Sequence, residues 1–204
     1  MRVQAFIPDW DSPTCNSYEV YSRLSPYCST EILSSYGTPF REQWNEALSL
    51  FTDDIMIWAM ADCRPENWDC AYPAMLKLMN RGDIGIWAPH LNKPSQLTRK
   101  SVEIESGIFD VQFTNMVCIA ISKTLLDQMP VIEMHPNGWM YDYLMTAVAR
   151  RNGMKNIVDT RFEVLHKYGS IYDTTAAEQE MKRWHERLPE PWKQDINKLR
   201  EEAR

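Results

Sequence analysis

Seven apolar residues, Ile55 to Ala61, run without a break into the carboxylate Asp62, and a Cys, an Arg and a Pro follow at once. A strand that is apolar on both sides of its pleat has to be covered on both faces. The architecture that does this is an α/β sheet with helices above and below. In open sheets of that kind, ligands bind where strands end. A strand of this composition therefore carries Asp62 rigidly to the sheet's edge, where it meets ligand rather than core.

The flanking sequence fits such a sheet. Val3 to Ile7 reads as a short strand stopped by Pro8, and residues 31–36 as a second. Between Phe40 and Phe51 the apolar residues Phe40, Trp44, Ala47, Leu48 and Phe51 recur at helical spacing. Residues 70–82 suggest a helix with Pro73 in its first turn, and residues 84–89 a strand stopped by Pro89. The polar stretch 90–108 reads as a loop or hairpin. Residues 117–129 begin as a strand and end as a helix. Residues 141–153 form an amphipathic helix closed by Asn152 and Gly153, and 161–169 alternate like a strand. From Ala176 the chain is helical and highly charged, interrupted at Pro189 and Pro191. We expect an α/β fold with a mixed, mostly parallel sheet, as one domain over residues 1–175 and a helical C-terminal extension over 176–204. That extension either packs back or pairs with a second copy.

Composition narrows the function classes. With 204 residues, 44% apolar and 25% charged, the chain can bury a sizeable core. The net charge is −6 and no long basic run exists, so charge does not point to nucleic acid. Five cysteines without a Cys-x-x-Cys pair read as reduced thiols rather than zinc ligands. The first ten residues lack a signal-peptide pattern, and no segment approaches the roughly 20 apolar residues of a membrane span. The expected location is the cytoplasm. Eight Trp and nine Tyr serve packing first, although aromatics also line sugar and base sites.

Three residues stand where chemistry would sit: Asp62 at a strand end, Asp142 where a Gly-Trp loop runs into a helix, and His166 at the end of a strand. Each alone has a structural reading, as a turn cap, a dipole-favoured helix start and a surface His. Their order along the chain says more.

Here the chain resembles the GT-A fold nucleotide-sugar glycosyltransferases, of the inverting, family-2-like kind. Phe6-Ile7-Pro8-Asp9-Trp10-Asp11 is similar to that family's first strand end. Residues 39–68 resemble its helix followed by a strand ending in an acidic motif. Residues 83–89 resemble its next strand, 137–153 the segment that supplies the catalytic base, and 164–172 the closing strand with its His. The resemblance covers about residues 3–173. The sequence departs from the pattern at Met60, where the acidic motif's first carboxylate would stand, and at Met140, where a glycine would.

The resemblance implies a nucleoside-diphosphate-sugar donor and a divalent cation, Mn²⁺ or Mg²⁺, held by Asp62 with His166. An imidazole ligand suits Mn²⁺ better. It implies Asp142 as general base toward an acceptor hydroxyl, with inversion at the sugar carbon. Pro8, Asp9, Asp11, Arg41, Asn45, Gly138 and Trp139 would contact the nucleotide or sugar, and Glu133 and His135 lie near enough to reach the acceptor. Two acceptors suggest themselves: a surface-glycan precursor, or a hydroxymethylated base in phage DNA. Two other readings stay open. A nucleotidyltransferase would carry a Gly-rich loop after the first strand, which is missing here. A non-catalytic binding module draws support from Met60.

Overall fold

β3 (Ile55–Ala59), the strand announced by the apolar run, is buried over its whole length. Its side chains alternate between two cores. Met56 and Trp58 enter one, and Ile55, Ile57 and Ala59 the other. Each Ile and Met side chain among them stabilises the fold by about 1.5–3 kcal/mol. The two-sided strand inferred from the sequence is thus a partition between two apolar layers.

The structure, a computed structural model, describes residues 1–9, 16–33, 38–92, 106–166 and 174–202. Asp11, residues 34–36 of the expected second strand and most of the polar stretch lie outside these residues. Among the described residues β3 belongs to an eight-stranded sheet. The others are β1 (Val3–Pro8), β2 (Ser29–Leu33), β4 (Cys63–Pro65), β5 (Ile84–Leu91), β6 (Ile108–Asp110), β7 (Cys118–Ser122) and β8 (Lys155–His166). The spatial order is β2-β1-β3-β7-β5-β8-β4, with β6 also pairing with β8. β1, β2, β3, β5 and β8 run one way; β4, β6 and β7 oppose their neighbours. This is the mixed, mostly parallel sheet that the pattern predicts.

Helices cover both faces. α1 (Ser17–Leu24) and α3 (Trp68–Met79) pack Val20, Leu24, Ala71 and Met75 into the layer of Ile55 and Ile57. α2 (Phe40–Leu50) and α5 (Tyr141–Arg151) pack Trp44, Leu144 and Met145 into the layer of Trp58, and the short α4 (Lys123–Leu126) adds Leu125. α6 (Thr174–Arg187) and α7 (Glu190–Glu202) place Trp184, Ile196 and Leu199 in that second layer. The C-terminal segment therefore packs back on its own chain.

Several boundaries differ from the sequence reading: β8 opens at Lys155 rather than at residue 161, residues 167–169 of that expected strand lie outside the described residues, and α1 has no counterpart in that reading. Pro89 does not stop β5, which continues to Leu91. The β5–β8 register shifts there, so that Pro89 faces Asp159 and His90 faces Glu163. The extra residues bulge out of β8, a setting in which a strand accepts proline. α3 starts at Trp68 rather than Cys70, so Pro73 lies inside the helix. Its missing N–H forfeits the bond to the carbonyl of Asp69, an exposed residue whose carbonyl water can satisfy. Cys28, Cys63, Cys70 and Cys118 are free thiols. Among the described residues no helix is long and apolar enough to cross a membrane.

Candidate active site

After β3 the chain turns through Met60 and Ala61 and enters β4, which pairs antiparallel with the end of β8. Cys63 stands opposite His166 in that ladder. The pairing sets Asp62 beside His166: Nε2 lies 3.0 Å from Asp62 Oδ2, although the residues are 104 positions apart in sequence. The end of β8 is pinned from a third side, since the His166 N–H donates to Asn92 Oδ1 at 2.7 Å. Only 10% of the Asp62 side chain and 14% of the His166 side chain stay exposed. Asp62 Oδ1 is buried and has no hydrogen-bond partner among the described residues. Leaving a buried carboxylate oxygen unpaired costs about 1–3 kcal/mol, more for a charged group. An oxygen and an imidazole nitrogen at one point, with a second oxygen unsatisfied, fit a divalent cation that takes its remaining ligands from phosphate and water. Among the described residues no three His, Cys, Asp or Glu side chains converge on one point.

Asp142 reaches the same edge by another route. β7 ends at Ser122, opposite Ile55 at the start of β3. The chain must then return along residues 127–140 to the edge where β3 ends, and α5 starts there. The backbone N–H of Arg41, in the first turn of α2, donates to the carbonyl of Pro136 at 3.0 Å, and Tyr141 sets its ring edge-on to Trp44, 5.2 Å between centroids. Asp142 Oδ1 accepts from the N–H of Tyr143 at 2.9 Å. Asp142 is half-buried, and burial pushes its pKa from an ordinary 3.8 up to about 7, against the weaker downward pull of the backbone N–H groups of Tyr143 and of Asp142 itself. No hydrogen bond or ion pair joins Asp142 to Asp62 or His166; the topology alone sets them on one edge.

Met140 caps α5 with φ 68° and ψ 0°, a left-handed conformation that favours glycine. The departure at Met140 thus occupies a position with a physical preference for glycine. A left-handed non-glycine residue costs about 1–2 kcal/mol. Yet Met140 is only 2% exposed and packs in the core, and deleting a buried Met side chain costs about 2–5 kcal/mol. The second effect wins. We expect Met140→Gly to lower stability by about 1–3 kcal/mol, read from urea unfolding; a variant more stable than the parent would show that strain dominates.

The other expected contacts are distributed as follows. Pro8 is buried as the last residue of β1 and pairs with Leu33. Asp9 follows it, its Oδ2 accepting from Ser17 Oγ at 2.8 Å and its carbonyl from Gln43 Nε2 at 3.1 Å. Arg41 turns toward the return segment, donating to Glu42 Oε1 at 3.0 Å, to Glu133 Oε1 at 3.4 Å and to the Met134 carbonyl at 3.4 Å. Asn45 is exposed on α2. Gly138 has φ +70°, and a Cβ on it would sit 2.8 Å from Phe40 Cγ and nearer still to the ring's edge. Trp139 is half-buried, its ring stacked on His135 with centroids 4.8 Å apart and planes 18° from parallel.

Some partners escaped the sequence reading. Gln43 is wholly buried and bridges the carbonyls of Asp9 and Thr38. Glu180 of α6 faces His135 Nε2 at 3.9 Å, and Trp184 Nε1 donates to the Glu133 carbonyl at 2.9 Å. No local pattern marks these residues, because each takes its meaning from an element far away in sequence. A cleft of about 310 Å³ lies against Arg150, Arg151 and Lys198, at the end of α5 remote from Asp142, and is separate from this site.

No protein-family model matches the sequence, and no curated protein matches it either. Solved structures do. A197 from STIV superposes with a TM-score of 0.60 at 16% identity, over 81% of this chain and 85% of that one. The mannosyltransferase PcManGT from Pyrobaculum calidifontis, in complex with GDP-Man and Mn²⁺, gives 0.62 at 14%, over 96% and 68%. Glucosyl-3-phosphoglycerate synthase from Mycobacterium tuberculosis, with Mn²⁺, UDP-glucose and phosphoglyceric acid, gives 0.63 at 12%, over 89% and 77%. At these identities the likeness is one of fold: the chain has the GT-A fold, shared with nucleotide-sugar glycosyltransferases.

Proposed function

We propose that the protein is an inverting, metal-assisted glycosyltransferase that moves a sugar from a nucleoside-diphosphate sugar to an acceptor hydroxyl. The observation that carries this reading is the meeting of Asp62 and His166 at the carboxyl edge of the sheet, with Asp62 Oδ1 buried and, among the described residues, unpaired. The solved neighbours that hold Mn²⁺ with a sugar nucleotide support the donor class. Asp62 and His166 would hold the cation, which when bound offsets the negative charge of the departing diphosphate. Asp142, with its pKa near 7, accepts the proton of the attacking hydroxyl. Attack on the face opposite the diphosphate inverts the sugar carbon. Trp139 forms a wall beside the reacting sugar, and residues 1–175 supply the catalytic unit.

Purified protein is incubated with a panel of nucleotide sugars, with and without Mn²⁺, and free nucleoside diphosphate is measured together with the melting curve. A true donor at about 100 times its dissociation constant adds about 2.7 kcal/mol of stability, and release of nucleoside diphosphate requires the metal. Asp62→Asn is expected to abolish the metal-dependent part of both signals. A protein that binds donors without releasing nucleoside diphosphate is the non-catalytic module instead, and one that consumes nucleoside triphosphates is a nucleotidyltransferase.

A further inference from the structure

We propose that His135 is a positioning residue, through which the C-terminal helix α6 sets the turn that carries Trp139 and opens α5. The inference rests on the transferase reading, because it assigns that turn a role in turnover. The residue is 7% exposed and its ring is held on three sides. Its Nδ1 accepts from the N–H of Asn137 at 3.1 Å, so that nitrogen carries no proton. The proton therefore sits on Nε2, which faces Glu180 Oε2 of α6 at 3.9 Å. One face of the ring stacks on Trp139. The backbone follows the same centre, since the N–H of Gly138 donates to the His135 carbonyl at 2.8 Å and that of Tyr141 to the Gly138 carbonyl at 3.2 Å.

Both ends of this arrangement are fixed. On one side Arg41 of α2 grips Glu133 and the carbonyls of Met134 and Pro136. On the other, Trp184 of α6 is 2% exposed and binds the Glu133 carbonyl, which anchors the helix that offers Glu180. His135 lies between them and links α6 to the turn. Burial lowers its pKa against the pull of Glu180, with Arg187 and Arg41 also lowering it, so the neutral ring needed to accept from Asn137 is the form favoured near pH 7. A displacement of about 1 Å at a reacting group costs about 10²-fold in rate, which is why a turn just ahead of Asp142 has to be held from both sides.

Two substitutions separate the two nitrogens. His135→Asn places an amide oxygen where Nδ1 was and keeps an acceptor for Asn137. His135→Gln reaches toward Glu180 but loses that acceptor. Two quantities are read: amide exchange of residues 136–141, and kcat and donor KM for nucleoside diphosphate release with Mn²⁺. For His135→Gln we expect exchange at Asn137 about fivefold faster and kcat about tenfold lower or more, with donor KM within about twofold. His135→Asn should restore the slow exchange and most of kcat. An active parent whose His135→Gln variant keeps its kcat, or loses kcat and donor binding together, overturns the positioning role alone. A parent that turns over no donor overturns the transferase reading on which the role depends, whatever the exchange shows.

Discussion

Asp142→Asn should slow sugar transfer by about 10²–10⁴-fold while making the fold more stable at pH 8. Asparagine keeps the size of the carboxylate and cannot take a proton from the acceptor, so kcat falls with donor KM little changed. The stability gain follows from linkage. Burial raises the carboxyl from 3.8 to about 7. Below about pH 4 the group is protonated whether folded or unfolded, and contributes no pH dependence. Between the two values the unfolded chain is ionised and the folded one is not, so stability falls as pH rises. Above about 7 the folded protein carries the buried charge and the loss is complete, on the order of 4 kcal/mol. The Asn variant escapes that loss. Urea unfolding of both proteins at pH 4 and pH 8 checks this: the curves should approach each other at pH 4 and separate at pH 8 in favour of the variant. Parent activity should rise with pH through about 7. Unchanged turnover removes Asp142 from the chemistry, and equal stability at pH 8 means that its carboxylate is solvated.

Gly138→Ala should be among the most damaging single changes on the rim of the site. The added Cβ would meet the Phe40 ring at 2.8 Å or less, while φ stays at +70°. The left-handed conformation costs about 1–2 kcal/mol and overpacking about 1–3, so we expect a loss of about 2–5 kcal/mol. Phe40 is not free to yield. It stands 5.1 Å from Trp58 in an edge-on contact, and Trp58 meets Trp44 at 4.9 Å. Turning the ring therefore disturbs the first turn of α2 and the central strand together. The double variant Gly138→Ala, Phe40→Leu separates the two contributions. Relief of the ring contact should recover part of the stability and leave the backbone strain. A single variant as stable as the parent would show that the loop can move away from α2.

Much of this site could be read from local pattern. The apolar run of β3 dictated a sheet covered on both faces, and its abrupt end placed Asp62 on the rim. The helical repeat after Asp142 located the start of α5, and the alternation before His166 located a strand end. The touch of Asp62 and His166 needed more, because it depends on the β4–β8 ladder, and β4 is too short for its three residues to carry a period. Arg41 shows the limit in the other direction. Its place in the first turn of α2 was legible, but its ion pair with Glu133, 92 positions away, was not. The passage of β5 through Pro89 likewise depends on a bulge in a different strand.

The antiparallel course of β7 has a consequence for where the chain can vary in length. Because that strand delivers the chain to the far side of the sheet, residues 127–140 form an obligatory strap back to the edge that carries Asp62 and His166. Length added within the strap is absorbed at the surface, at a closure entropy of only about 0.6 kcal/mol per doubling. No strand has to change register to accommodate it. Among the described residues, the strap is thus a border of that edge whose length can vary while the strand ladders keep their pairing.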